Sequence, residues 1–163
     1  MENCVNSAQD EDLAQIRIHP VVIVITCIGG GAIAGNFWQL DMVEENLLII
    51  GRIGLAFACI GILILVLAYR EMGRANTTIN PSEHSSKVVS SGIYAYSRNP
   101  IYLGWFVVLV GMGLSNTSLI VLIMSPFMIV LLYWAVIVKE ESYLENKFGE
   151  EYLLYKKNVR RWI

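Results

Sequence analysis

The sequence predicts an all-α integral membrane protein with about four transmembrane helices and a cytoplasmic C-terminal amphipathic helix. Three observations lead there. Of 163 residues, 55% are apolar and 16% charged, against ~45–50% and ~25% in an average soluble domain. The apolar residues gather into four runs, 20–40, 47–69, 101–114 and 119–138, of 21, 23, 14 and 20 residues, in which Arg52 is the one full charge. Crossing a bilayer takes ~20 mainly apolar residues, so three runs suffice and the third is short. Finally, the basic residues are sided. Arg17, then Arg70, Arg74, Lys87 and Arg98, then six Lys and Arg after residue 138 flank the runs, while loops 41–46 and 115–118 hold none. Lys and Arg mark the cytoplasmic face, so both termini and the long middle loop are expected there. This pattern excludes a soluble enzyme, a secreted disulfide scaffold and a nucleic-acid binder; the lipid bilayer is the expected partner.

In chain order, one membrane domain, 1–163, divides into a polar segment (1–19), a first helical hairpin (20–69), a cytoplasmic loop (70–99), and a second hairpin with its tail (100–163). Glu2, Asp10, Glu11 and Asp12 stand where a cleavable signal carries positive charge, so none is expected. Within the first run, Gly29, Gly31 and Ala34 formally fit a dinucleotide fingerprint, but that fingerprint needs a soluble strand–turn–helix around it. Gly31 and Gly35 read instead as a small-residue face that lets helices approach. Cys27 and Cys59 fall inside runs and read as small hydrophobes. Arg52, five residues into the second run, is expected to snorkel to the outer interface.

The loop 70–99 is long for a connection within a helical bundle, which points to a functional or folded segment. It ends at Arg98, Asn99 and Pro100, where Asn reads as an N-cap and Pro as the first helical residue. Arg98, three tyrosines and Gly104 crowd the same point. The short loop 115–118 folds the third and fourth runs antiparallel, placing Pro100 opposite Tyr133. Glu140 and Glu141 then lie ~9–12 Å further along the fourth helix, at 1.5 Å per residue. A helix N-terminus attracts anions and the glutamates a cation, so a zwitterion about 10 Å long matches that spacing. In the tail, Leu144, Phe148, Tyr152 and Tyr155 recur at helical spacing and suit either a membrane-surface anchor or a lid.

The stretch Arg98-Asn99-Pro100-Ile101-Tyr102-Leu103-Gly104, the pair Glu140-Glu141, and Phe148-Gly149-Glu150-Glu151-Tyr152 with its basic end resemble the isoprenylcysteine carboxyl methyltransferase superfamily. That superfamily includes bacterial members and, more distantly, the phospholipid N-methyltransferases. The stretch from Arg74 to Pro81 is similar as well. The family's Arg-His-Pro reads Arg98-Asn99-Pro100 here, and its Gly-Pro-Tyr-Arg-Tyr reads Gly92-Ile93-Tyr94-Ala95-Tyr96. The resemblance implies an integral membrane methyltransferase (of the inner or plasma membrane, if bacterial) that uses S-adenosylmethionine, held by 100–163. It implies catalytic roles for Arg98, gripping a carboxylate, and Glu141. Cofactor contacts fall to Glu140 and Glu141, with Asn99, Pro100, Tyr102 and Gly104 shaping the pocket. Of the two glutamates, Glu141 is expected to be the more sensitive.

The implied acceptor is a hydrophobic, membrane-associated molecule, a carboxylate first of all. A carboxylate is already ionised near pH 7 and needs no general base, whereas an amine would need Glu140 or Glu141 to deprotonate it. Other classes compatible with the chain are a non-catalytic scaffold, a small transporter and an NADPH-dependent membrane reductase. Transport is disfavoured because proton-coupled carriers place acids within their spans and these runs hold none. Binding of labelled S-adenosylmethionine against NADPH separates the remainder.

Overall fold

A computed structural model describes residues 20–35, 44–75 and 87–163. The N-terminal polar segment, residues 36–43 (the end of the first apolar run and half of the first loop) and the 76–81 part of the family-like stretch lie outside the described residues. Among the described residues every regular element is helical: α1 (Pro20–Gly35), α2 (Glu44–Arg74), a 3₁₀ turn (Gly92–Ala95), α3 (Pro100–Ser115), α4 (Leu119–Leu132), a wide π-helical turn (Tyr133–Ile137), α5 (Val138–Phe148) and α6 (Glu150–Asn158). Two stretches are long and apolar enough to cross a membrane, Asn46–Arg74 and Leu119–Phe148, of 29 and 30 residues; Pro20–Gly31 and Pro100–Ser115 are shorter apolar helices.

Two helices outrun their apolar cores. α2 continues past residue 69 to Arg74, where Arg74 and Glu71 pair at 3.5 Å one turn apart and no Gly or Pro interrupts before Gly73. The fourth run continues through the wide turn into α5 and ends at Gly149, whose φ of 52° is left-handed backbone that glycine adopts without a Cβ penalty. α6 restarts one residue later.

The tightest packing joins α2 to α3 along a glycine seam. A Cβ on Gly111 would lie 2.4 Å from the Ala58 nitrogen, one on Gly54 2.4 Å from the Ser115 nitrogen, and one on Gly61 2.6 Å from the Val108 nitrogen. Without side chains there, the two backbones touch directly, the arrangement by which helices associate where no hydrophobic effect drives them together. α1 packs on α4 instead, where a Cβ on Gly31 would meet Val121 Cγ2 at 3.2 Å. Extensive contacts therefore join the two halves of the chain, and α3 to α4 within the second, rather than α1 to α2 within 20–69.

The core lies between α1, α3 and α4 and the wide turn: Ile23, Val24 and Cys27 meet Leu109, Val121, Met128, Leu132, Val136 and Ile137. α2 keeps much of its apolar surface outward, with Leu48, Ile49, Ile53, Leu55, Ile60, Leu63 and Val66 exposed, as a lipid-facing helix does. Cys59 shares that outward face, whereas Cys27 is buried as expected.

Candidate active site

The site begins where α3 begins. Pro100 occupies the first turn of α3 as expected, but Asn99 does not cap it with its side chain. The Asn99 Nδ2 donates instead to the Arg161 carbonyl at 3.3 Å. The Ser97 hydroxyl donates to the same carbonyl at 3.2 Å, and the Arg98 backbone N–H donates to the Arg160 carbonyl at 3.1 Å. The end of the chain thus folds back as a strap across the turn that carries Arg98.

The strap brings its own charge. The Arg161 guanidinium donates to both oxygens of Glu141, Nε to Oε1 at 2.9 Å and Nη2 to Oε2 at 2.7 Å, and lies 5.0 Å from the Tyr133 ring centroid. This hydrogen-bonded carboxylate holds Arg161 protonated beyond its already high range. Arg98 Nη1 stands 3.3 Å from Glu141 Oε1 as an ion pair. The alignment of a hydrogen bond is missing there, and Arg98 Nε and Nη1 are buried without hydrogen-bond partners among the described residues. The expected 9–12 Å gap between arginine and glutamates is therefore closed, because Arg98 precedes the helix and its long side chain reaches the Glu141 carboxylate. A zwitterion stretched between Arg98 and Glu141 has no room.

Glu140, one residue earlier and about 100° round the helix, takes a different role. Its Oε2 accepts from the Tyr102 hydroxyl at 3.2 Å, and it lines a cavity of about 350 Å³, within the ~300–1,000 Å³ usual for small-molecule sites. Arg98, Asn99, Pro100 and Tyr102 line the same cavity; α1 adds Pro20 and Val24, α2 adds Tyr69 and Met72, and α3 adds Trp105. A wide turn precedes the pair. Its extra residue rotates the helix beyond it, and such turns recur at functional sites.

α6 closes the cavity with Tyr152 and Tyr155, while Leu153 and Leu154 point outward. The Tyr155 hydroxyl donates to the Tyr94 carbonyl at 2.8 Å, tying α6 to the 3₁₀ turn, which the Ser91 hydroxyl in turn ties to Glu71 of α2. Burial pushes the Tyr94, Tyr152 and Tyr155 hydroxyls well above their ordinary range, so all three stay protonated donors.

Of the residues singled out in sequence, Arg98, Asn99, Pro100, Tyr102 and Glu140 share the cavity wall. Glu141 is buried in its pair with Arg161. Gly104 faces α2, and the room it leaves is taken by Leu65, whose Cγ would lie 2.8 Å from an added Cβ. Sequence reasoning missed Trp105, Tyr69, Lys87 and Arg161. Trp105 had a signal, lying three residues beyond Tyr102 on the same helical face; Arg161 had none among its basic neighbours.

Residues 50–151 match the model of the phospholipid methyltransferase family. The chain belongs to that family. This phospholipid methyltransferase family member is also similar to isoprenylcysteine methyltransferases. It is 40% identical over 79 residues to the protein-S-isoprenylcysteine O-methyltransferase of Dictyostelium discoideum, covering 44% of this chain and 30% of that protein. With the Schizosaccharomyces pombe protein of the same name it shares 32% identity over 111 residues, 64% of this chain and 45% of the relative. It is 30% identical over 144 residues to the cobalt-zinc-cadmium resistance protein CzcN of Cupriavidus metallidurans, covering 88% of this chain and 62% of that one. The chain spans less than two thirds of the length of these relatives. Its family is one of membrane methyltransferases, and its apolar helices accord with association with a membrane.

Proposed function

We propose that this chain transfers the methyl group of S-adenosylmethionine to a hydrophobic, membrane-associated acceptor, most readily a carboxylate. The observation that carries the reading is the cavity wall, where buried Arg98 donors without hydrogen-bond partners among the described residues stand among aromatic residues and a carboxylate, Glu140. That set fits the cofactor. Its carboxylate needs a guanidinium, its amino group a carboxylate, and its ring and sulfonium find aromatic faces, which attract cations. Arg98 would hold the carboxylate, Glu140 the ammonium, and Tyr94, Tyr102, Trp105, Tyr152 and Tyr155 the remainder. When bound, the cofactor supplies a methyl on positively charged sulfur.

The chain's own contribution is then alignment and the exclusion of water. A carboxylate acceptor and a sulfonium lose their opposite charges as the methyl moves, so a dry, aromatic-walled site favours the transition state over solvated reactants. No proton has to be removed. The topology that accompanies this reading has four spans with both termini cytoplasmic, α1 and α3 being short crossings. It rests on the outward apolar surface of α2 and on the sided basic residues.

The test is binding of S-adenosylmethionine, against NADPH, to the detergent-solubilised chain, followed by incubation of membranes with methyl-labelled cofactor. A ligand at 100 times its Kd stabilises the fold by ~2.7 kcal/mol when it binds only the folded state. Absence of a thermal shift and of a calorimetric signal at millimolar cofactor overturns the proposal; a shift with NADPH alone replaces it with a reductase.

A further inference from the structure

Two arginines share one glutamate beneath the cavity. Arg161 takes both oxygens of Glu141, leaving Arg98 a single 3.3 Å charge contact. The Arg98 and Glu141 side chains are 8% and 7% exposed and that of Arg161 is 29% exposed, so the trio holds one surplus positive charge whose Arg98 member is kept from water. A bare buried charge is costly; an anion brought to Arg98 removes that cost.

We infer that Arg161 is a positioning residue: by occupying both Glu141 oxygens it keeps Arg98 from closing a bidentate pair of its own, and so holds the Arg98 guanidinium open to the cofactor's carboxylate. The arrangement is built rather than incidental. The Arg161 carbonyl is bonded by Ser97 and Asn99, the residues on either side of Arg98, so the backbone sets the two arginines in register. The Arg161 guanidinium also lies 5.0 Å from the Tyr133 ring centroid, within cation–π reach. Without that fork, the shortest route to charge balance is for Arg98 to fold onto Glu141, a planar fork matching a carboxylate. The surplus charge disappears, and with it the attraction for an incoming anion.

The inference rests on the cofactor reading above, and it is tested by comparing two ligands, S-adenosylmethionine and its decarboxylated analogue, on the full chain by calorimetry. Arg161→Gln is expected to weaken S-adenosylmethionine about tenfold or more, the scale of a lost charge-assisted hydrogen bond, while leaving the analogue within about twofold, since the analogue offers Arg98 nothing. Arg161→Lys, a point charge that cannot hold both oxygens, should fall between, and it carries the same comparison if the glutamine variant does not survive solubilisation. Equal weakening of both ligands marks a merely structural arginine and overturns the inference, as does no weakening. Wild-type protein indifferent between the two ligands overturns it too, while S-adenosylmethionine binding, and the proposed function with it, stands. Failure of wild type to bind either ligand sinks both.

Discussion

Glu140 and Glu141 are neighbours in sequence, yet their glutamine variants should fail in opposite ways. Glu141 is 6% exposed and is the single anion between Arg98 and Arg161. Glu141→Gln keeps the volume but leaves two guanidiniums facing a neutral amide whose NH₂ points a donor at donors. Breaking a buried pair by neutralising one partner costs ~3–5 kcal/mol; the Arg161 side chain is 29% exposed, which argues for the lower end, about 3 kcal/mol. For a chain of this size each kcal/mol moves Tm by ~2–4 °C, so a loss of roughly 6–12 °C is expected. Glu140→Gln retains an oxygen to accept from Tyr102, and the fold should hold to within about 1 kcal/mol. What it loses is the negative charge in the cavity, and with it ~1.5–3 kcal/mol toward a cationic ligand, or roughly ten- to a hundredfold in affinity. Thermal unfolding in detergent and calorimetric titration with S-adenosylmethionine, run on both variants, separate the two effects. If Glu141→Gln melts with wild type, or Glu140→Gln binds the cofactor as wild type does, the assignment of one glutamate to structure and the other to the cavity is wrong.

Three further outcomes follow from other parts of the molecule. Gly111→Leu drives a side chain into the α2 backbone, which a single Cβ would already approach to 2.4 Å; helix separation should cost ~3 kcal/mol or more, read as a lowered Tm, with Gly73→Ala, which meets nothing within 4 Å and puts a better helix former into α2, as the control that does not lower Tm. Reporter fusions after Glu45 and after Asn116 should read outside, and those after Glu83 and at Ile163 inside; one clear reversal breaks the four-span topology. Because Tyr94, Tyr152 and Tyr155 ionise above the ordinary value of 10.0 in the fold, only the unfolded chain releases their protons near pH 10, so stability is full below that pH and declines above it. Unfolding curves from pH 8 to 11 should show this decline, shallower in Tyr155→Phe.

Much of the site was legible because it is local. Arg98 to Tyr102 straddle a helix start marked by Asn99-Pro100, and the four-residue loop 115–118 forces α4 back beside α3; those two facts alone bring Tyr102 and Glu140 toward one wall. The glycine seam was also written in the spacing, since Gly54 and Gly61, like Gly104 and Gly111, stand seven apart, two helical turns on one face. The distance between Arg98 and Glu141 was not legible, because counting residues along an axis ignores a long side chain reaching across a turn. Nor was Arg161, whose selection over Arg160 and Lys157 depends on how the last five residues fold back. Asn99 has the right residue type for a cap, and its side chain was diverted by a carbonyl from 62 residues away.

The wide turn at Tyr133–Ile137 acts as a phase step in an otherwise continuous rod. The portion below it is locked to α1 and α3 by Met128 and Leu132, both fully buried, while the portion above carries Glu140, Glu141 and the tail. An α-helical turn holds 3.6 residues, and the step holds one more, so the two portions keep separate angular settings. Deleting a single residue inside the step would return it to a regular turn and leave the phase beyond it nearly unchanged, whereas deleting one from the regular helix just before Glu140 would swing everything beyond it by about 100°, carrying Glu140 off the cavity wall. The step is therefore a place where this helix can absorb a one-residue change in length without moving the glutamates.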